Sequence, residues 1–163
     1  MRWVKKAVTA GLLCLFLAGC QREAVIDPVL FCREFNARSG EAQLREEDAY
    51  LRGEGEVVLF ADAGLVRLQT DENGAVHTAV VTGNRSDALY RFAADAFSVL
   101  AKPLSEDVPQ AFKEALMRED RSVQSVETKR FQYYIYASDG IVTAVQSNRL
   151  SVSLPVLPSL RPE

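Results

Sequence analysis

Histidine, cysteine, tryptophan and methionine are all scarce in this chain, which has one His, three Cys, one Trp and two Met in 163 residues. Each shortage closes a route to function. Any Ser-His-Asp or Cys-His site has to be built on His77, the only imidazole. Its expected place is mid-strand, whereas catalytic groups sit more often on loops held by a scaffold. A structural zinc site takes about four Cys or His ligands, more than the mature chain can bring together. There is no glycine-rich phosphate loop, no G-x-S-x-G and no dinucleotide fingerprint; Gly53-Glu54-Gly55 lacks both a third glycine and a following helix. The acids Glu46-Glu47-Asp48 run contiguously and do not alternate around a turn glycine, so they read as a solvated loop and not a calcium loop. No spacing singles out a catalytic pair among the 22 acidic residues. The sequence therefore predicts no cofactor, no metal and no visible catalytic constellation.

The N-terminal stretch does carry a pattern. Arg2, Lys5 and Lys6 form a basic start. An uncharged run from Ala7 to Ala18 follows, with Leu12, Leu13, Leu15, Phe16 and Leu17 in it, and the chain turns polar at Gln21-Arg22-Glu23. That run is too short for a transmembrane helix, which needs about 20 apolar residues, but it has the proportions of a secretory signal. It ends at Leu17-Ala18-Gly19-Cys20, with two small residues before a cysteine. In these residues the chain resembles the bacterial lipoproteins. The resemblance implies cleavage after residue 19 and a lipid on Cys20. It also implies at least two acyl chains there, as stable membrane anchoring requires. The expected location is the extracytoplasmic side of the cell membrane or outer membrane, and Gln21 after the lipid site is not an inner-membrane retention signal.

Without residues 1–19 the chain would keep 16 basic against 22 acidic side chains, a net charge of −6. Such a domain is repelled by an anionic lipid surface, which leaves the lipid to hold it there. It also lacks the basic face that nucleic acid requires. With Cys14 in the signal and Cys20 lipidated, Cys32 is single and no intramolecular disulfide can form in the mature domain. Its position on an apolar helix face beside Phe31 and Phe35 predicts a buried structural thiol.

The expected organisation is a tether over 20–27, one domain over 28–150 and a proline-rich strap over 151–163. Gln21–Asp27 reaches at most about 23 Å, which keeps the domain close to the bilayer. Asp27-Pro28 starts a helix, with Val29, Phe31, Cys32 and Phe35 on one face and Gly40 closing it. Leu44, Tyr50 and Leu51 suggest a short irregular strand. From Glu56 the apolar period becomes two. Strands are expected at Val57–Phe60, Leu65–Thr70 and Ala75–Thr82, with Asn73-Gly74 as a hairpin signal. Ser86-Asp87 caps a helix with Leu89, Tyr90, Ala93, Ala96, Phe97 and Leu100 inward and Arg91, Asp95 and Ser98 opposite. A third helix follows Asp107, with Val108, Phe112, Ala115 and Leu116 inward. Ser125–Ala137 reads as one long strand, Ser138-Asp139-Gly140 as a turn and Ile141–Ser147 as the return strand. This is an α+β class: an antiparallel sheet of five to six strands against two to three helices, in the order α-β-β-β-α-α-β-β.

One surface invites a functional reading. Phe131, Tyr133 and Ile135 should pack on the helices, which leaves Tyr134 and Tyr136 on the other face together with Phe60, where either the C-terminal tail or the first helix covers them or they stand open. Tyrosines combine contact area with a polar tip and suit a binding surface. The leading expectation is a lipid-anchored, non-enzymatic binding domain for an envelope protein or small ligand. The alternatives are a small envelope hydrolase using carboxylates in a cleft, and a structural envelope protein.

Overall fold

The computed structural model describes residues 26–40, 42–45, 50–51, 55–117 and 124–149. The expected signal, Cys20, most of the tether and the strap over 151–163 lie outside them. The class is α+β, as the sequence predicts. The sheet has seven antiparallel strands in the order β1-β2-β3-β4-β7-β6-β5. They are β1 (Tyr50–Leu51), β2 (Glu56–Ala61), β3 (Gly64–Thr70), β4 (Val76–Asn84), β5 (Gln124–Glu127), β6 (Phe131–Ser138) and β7 (Ile141–Asn148). Helices α1 (Pro28–Arg38), α2 (Asp87–Ala101) and α3 (Gln110–Leu116) share one face of the sheet, with a 3-10 turn at Lys102–Leu104 between α2 and α3. Among the described residues no helix is long and apolar enough to cross a membrane.

Two meanders build the sheet. The first runs from β1 to β4. The chain then leaves through α2 and α3, re-enters at the far edge as β5 and returns inward, so that β7 closes against β4 from Thr78–Ser147 to Asn84–Ile141. Alternation along β6 is complete: Phe131, Tyr133, Ile135 and Ala137 are buried, and the residues between them are half-buried. The buried set joins Leu59, Val66, Leu68, Ala79, Val81, Val142 and Ala144 against Phe92, Ala96 and Phe97 of α2 and Phe112 of α3. Phe97, Phe112 and Tyr133 form an aromatic cluster with centroids 5.0–6.2 Å apart, and Phe35 meets Phe92 edge-on at 5.3 Å. Each such ring contributes area and an oriented quadrupole contact.

Local sequence explains the helix starts. Asp27 Oδ1 accepts the Leu30 N–H at 2.7 Å with Pro28 in the first turn, and Ser86 Oγ accepts the Leu89 N–H at 3.1 Å. Both satisfy N–H groups that a helix cannot bond internally.

Several expectations are corrected. Helix α1 is closed by Ser39, whose extended backbone donates its N–H to Phe35 O, and not by Gly40. Val29 is 61% exposed, and Ile26, just before the cap, packs in the core. The Asn73-Gly74 hairpin is not a two-residue turn. Asp71 Oδ1 accepts from both Asn73 N and Ala75 N, the loop is longer, and the register shifts at Gln69/Thr70. The hairpin forms where Asn73-Gly74 signals it: the Gly74 N–H closes on Asp71 O at 3.0 Å with Gly74 at φ 79°, and the Asp71 side chain braces the turn. The long strand expected over Ser125–Ala137 is two strands folded on each other, with Gln124 opposite Ile135 and Glu127 opposite Gln132. Thr128 makes that turn by accepting the Phe131 N–H on its hydroxyl at 3.0 Å. Asp139-Gly140 forms the next hairpin with positive φ at both residues, 51° and 82°, as a type I′ turn requires.

Candidate functional site

The sheet register fixes what lies on the face away from the helices. One row runs Val58, Arg67, Val80, Val145, Tyr134 and Ser125, and the next Phe60, Leu65, Thr82, Thr143 and Tyr136. Phe60, Tyr134 and Tyr136 therefore share this face, as the alternation predicts. They do not form one cluster: Phe60 and Tyr136 stand four strand spacings apart, about 19 Å. Tyr134 donates its hydroxyl to Gln132 Oε1 at 2.9 Å along its own strand. Between Phe60 and Tyr136, the Thr82 and Thr143 hydroxyls lie 3.2 Å apart across the β4–β7 seam.

At the Phe60 end of the sheet lies a cleft of about 840 Å³ that takes in residues from both faces. The β2–β3 turn from Ala61 to Leu65, the end of β4, the segment Ser39–Ala42 after α1, and Ala88, Arg91, Phe92 and Asp95 of α2 enclose it, with Ile141 on its rim. Its size falls within the roughly 300–1,000 Å³ of small-molecule sites. Four large apolar side chains are exposed among the described residues: Val29, Phe60, Met117 and Ile141. Phe60 (49%) and Ile141 (50%) both line this cleft.

Two glycines set its floor. A Cβ on Gly64 would stand 2.6 Å from Thr82 O, and one on Gly83 would stand 2.8 Å from both Ala63 O and Leu89 Cδ1. The turn, β4 and α2 approach this closely only because neither residue has a side chain.

Asp95 supplies the cleft's half-buried charge. Burial pushes its carboxyl up from the ordinary 3.8, against the lowering pull of Arg38 and then Lys113. Loss of water disfavours the charged form and outweighs both cations. Arg38 is also shared with Glu34, 3.8 Å away. The amphipathic pattern of α2 places Asp95 opposite the core stripe, but α1 packs against α2 and brings Arg38 near enough to act on its charge. Neither this contact nor the contribution of Ile141 has a local sequence signal, because both depend on elements distant in the chain.

His77 and Cys32 fall elsewhere. His77 Nδ1 lies 2.9 Å from Thr78 Oγ1, itself 3.0 Å from Ser147 Oγ. Thr78 is 1% exposed, so a substrate cannot reach that hydroxyl. Cys32 is buried and donates its thiol to Leu44 O at 3.3 Å. Asn36 holds the same segment by donating to Leu44 O and accepting from Leu44 N. Cys32 is a packing residue. Among the described residues no three His, Cys, Asp or Glu converge as a metal site. Comparison with family models, with curated proteins and with solved structures returns no match.

Proposed function

We propose that this chain is a bacterial lipoprotein, anchored by lipid on Cys20 to the extracytoplasmic face of the cell membrane or outer membrane. On this reading its domain is a non-enzymatic binding module that takes its ligand in the cleft at the Phe60 end of the sheet. The observation that carries the binding function is the pairing of Phe60 and Ile141, two half-exposed apolar side chains, on one cleft of about 840 Å³. Exposed apolar surface gathered at a concavity is the usual mark of a ligand site. Anchoring rests on the basic start, the apolar run and Leu17-Ala18-Gly19-Cys20. The acidic balance speaks against nucleic acid as a partner.

A carboxylate hydrolase has one observation in its favour, since Asp62 and Asp95 line the same cleft. Acid/base work divides between carboxyls held at different pKa by their surroundings, and among the described residues no nucleophile–base pair stands beside these two.

Two measurements test the proposal. Metabolic labelling with a fatty acid is expected to mark the wild type and not Cys20→Ser, which should leave the membrane fraction; a variant still labelled and membrane-bound contradicts the anchor. Native mass spectrometry of protein extracted gently from its own membrane is expected to show a bound ligand that Phe60→Ser loses. An adduct retained by Phe60→Ser, or absent from the wild type, contradicts the binding function.

A further inference from the structure

We infer, on the reading that Cys20 carries the lipid anchor, that the domain stands on the bilayer by the Val76 end of its sheet. The basic side of that end then meets the headgroup phosphates, and the cleft opens away from the lipid. The chain enters the fold at the Val76 end. Ile26 O accepts the Val76 N–H at 2.7 Å at the start of β4, and the Ile26 side chain is buried in the core. Helix α1 then runs about 16 Å along the domain, and Ser39 and Gly40 after it line the cleft. The point of entry and the cleft are therefore at opposite ends. Strand β4, Val76–Asn84, separates them by about 26 Å. From Cys20 to Ile26 the chain reaches at most about 20 Å. Turned over, with the cleft against the lipid, the domain would hold Ile26 beyond that reach.

The β3–β4 hairpin and the β5–β6 turn form the rim of the Val76 end. It carries both signs. Lys129, Arg130 and Arg149 lie on the β5–β6 side, where the Arg149 N–H bonds Arg130 O and its guanidinium stands 3.5 Å from Glu127. Asp27, Asp71 and Glu72 lie beside the entry and on the hairpin. An anionic surface repels the acidic chain as a whole, so contact falls to the three cations, whose chemistry suits phosphate. A ligand reaches the cleft from the aqueous side and not from the bilayer that holds the anchor.

The test uses the full chain, extracted from its own membrane with whatever lipid Cys20 carries and placed in nanodiscs doped with a gadolinium-chelate lipid. Intact mass reads the lipid on Cys20. Paramagnetic broadening of the amide signals reads height above the bilayer. In discs of phosphatidylcholine and phosphatidylglycerol, the Gly74 and Lys129 signals are expected to be lost, Lys129 first as the gadolinium lipid is raised. Asp62 and Gly140, in the β2–β3 and β6–β7 turns at the cleft end, should keep their intensity. In phosphatidylcholine alone, Lys129 should lose its lead over Gly74. Broadening at Asp62 and Gly140 that equals or exceeds that at Gly74 overturns the orientation; if Cys20 still carries lipid, the anchor stands. An unchanged order of Lys129 and Gly74 in the two lipids overturns the phosphate contact. A chain without lipid on Cys20 removes the anchor and the orientation with it.

Discussion

Gln146 donates its side-chain amide to the Tyr133 hydroxyl at 3.1 Å, and both side chains are fully buried between the sheet and the helices. The pair is a polar island in an aromatic core, and the other Gln146 amide atom, Oε1, has no hydrogen-bond partner. Tyr133→Phe removes the acceptor and leaves a buried donor unsatisfied, which costs about 1–3 kcal/mol. Urea unfolding measures this loss.

The same pair gives a signature in alkali. Burial pushes Tyr133 up from 10.0 to about 12, with Glu106 adding to the rise and the Gln146 hydrogen bond opposing it. The unfolded chain ionises this phenol near 10 while the folded protein keeps it neutral. Its contribution is therefore fully present below pH 10 and is lost as pH rises through about 12. The stability difference between wild type and Tyr133→Phe is expected to shrink across that window. Parallel curves would show that Tyr133 is not held neutral by the fold.

Gly64 and Gly83 admit no Cβ without displacing backbone atoms 2.6–2.8 Å away. Alanine at either position is expected to cost about 1–3 kcal/mol through overpacking and to disturb the cleft floor. Gly40, with nothing within 4 Å of its added Cβ, is the control and should change stability little. Thermal unfolding of the three variants side by side decides this.

Asp95→Asn bears on stability. Because burial raises the folded carboxyl above its ordinary 3.8, the folded state binds more protons than the unfolded state just above that value. Stability therefore falls as pH rises through this window. The asparagine variant escapes that penalty and is expected to be slightly the more stable at neutral pH, with its advantage fading below pH 4. A variant less stable than wild type at neutral pH contradicts the desolvated carboxylate.

Thr128 joins two parts of the fold. Its hydroxyl accepts the Phe131 N–H at 3.0 Å and donates to Glu106 Oε2 at 2.7 Å, which ties the β5–β6 turn to the segment before α3. Thr128→Val keeps the shape and loses both bonds, at about 1–2 kcal/mol. Denaturant midpoints of this variant and of Glu106→Gln, which can retain an acceptor, separate the two contributions.

The alternation in Phe131–Ala137 and the caps at Asp27 and Ser86 are local, so the α+β class and the two faces of the sheet were legible before the structure. The break in the strand over 125–137 was not, because Thr128-Lys129-Arg130 contains neither glycine nor proline, and a threonine hydroxyl makes the turn. The candidate site was half legible. Alternation alone puts Phe60, Tyr134 and Tyr136 on one face, but the strand order β4-β7-β6 that separates Phe60 from the tyrosines cannot be read from periodicity. Asp95 reads as solvent-facing from the pattern of its own helix, and that pattern cannot show α1, some fifty residues earlier in the chain, packing on α2.

The central claim is that the Phe60 end of the sheet is where this domain meets its ligand. The most direct measurement places a photo-crosslinking phenylalanine analogue, in the protein's own cell, at each of the four large apolar positions exposed among the described residues, Val29, Phe60, Met117 and Ile141. One species, identical by mass, is expected from positions 60 and 141 and absent from 29 and 117. Capture of that species equally from all four positions, or from 29 or 117 alone, would contradict the account.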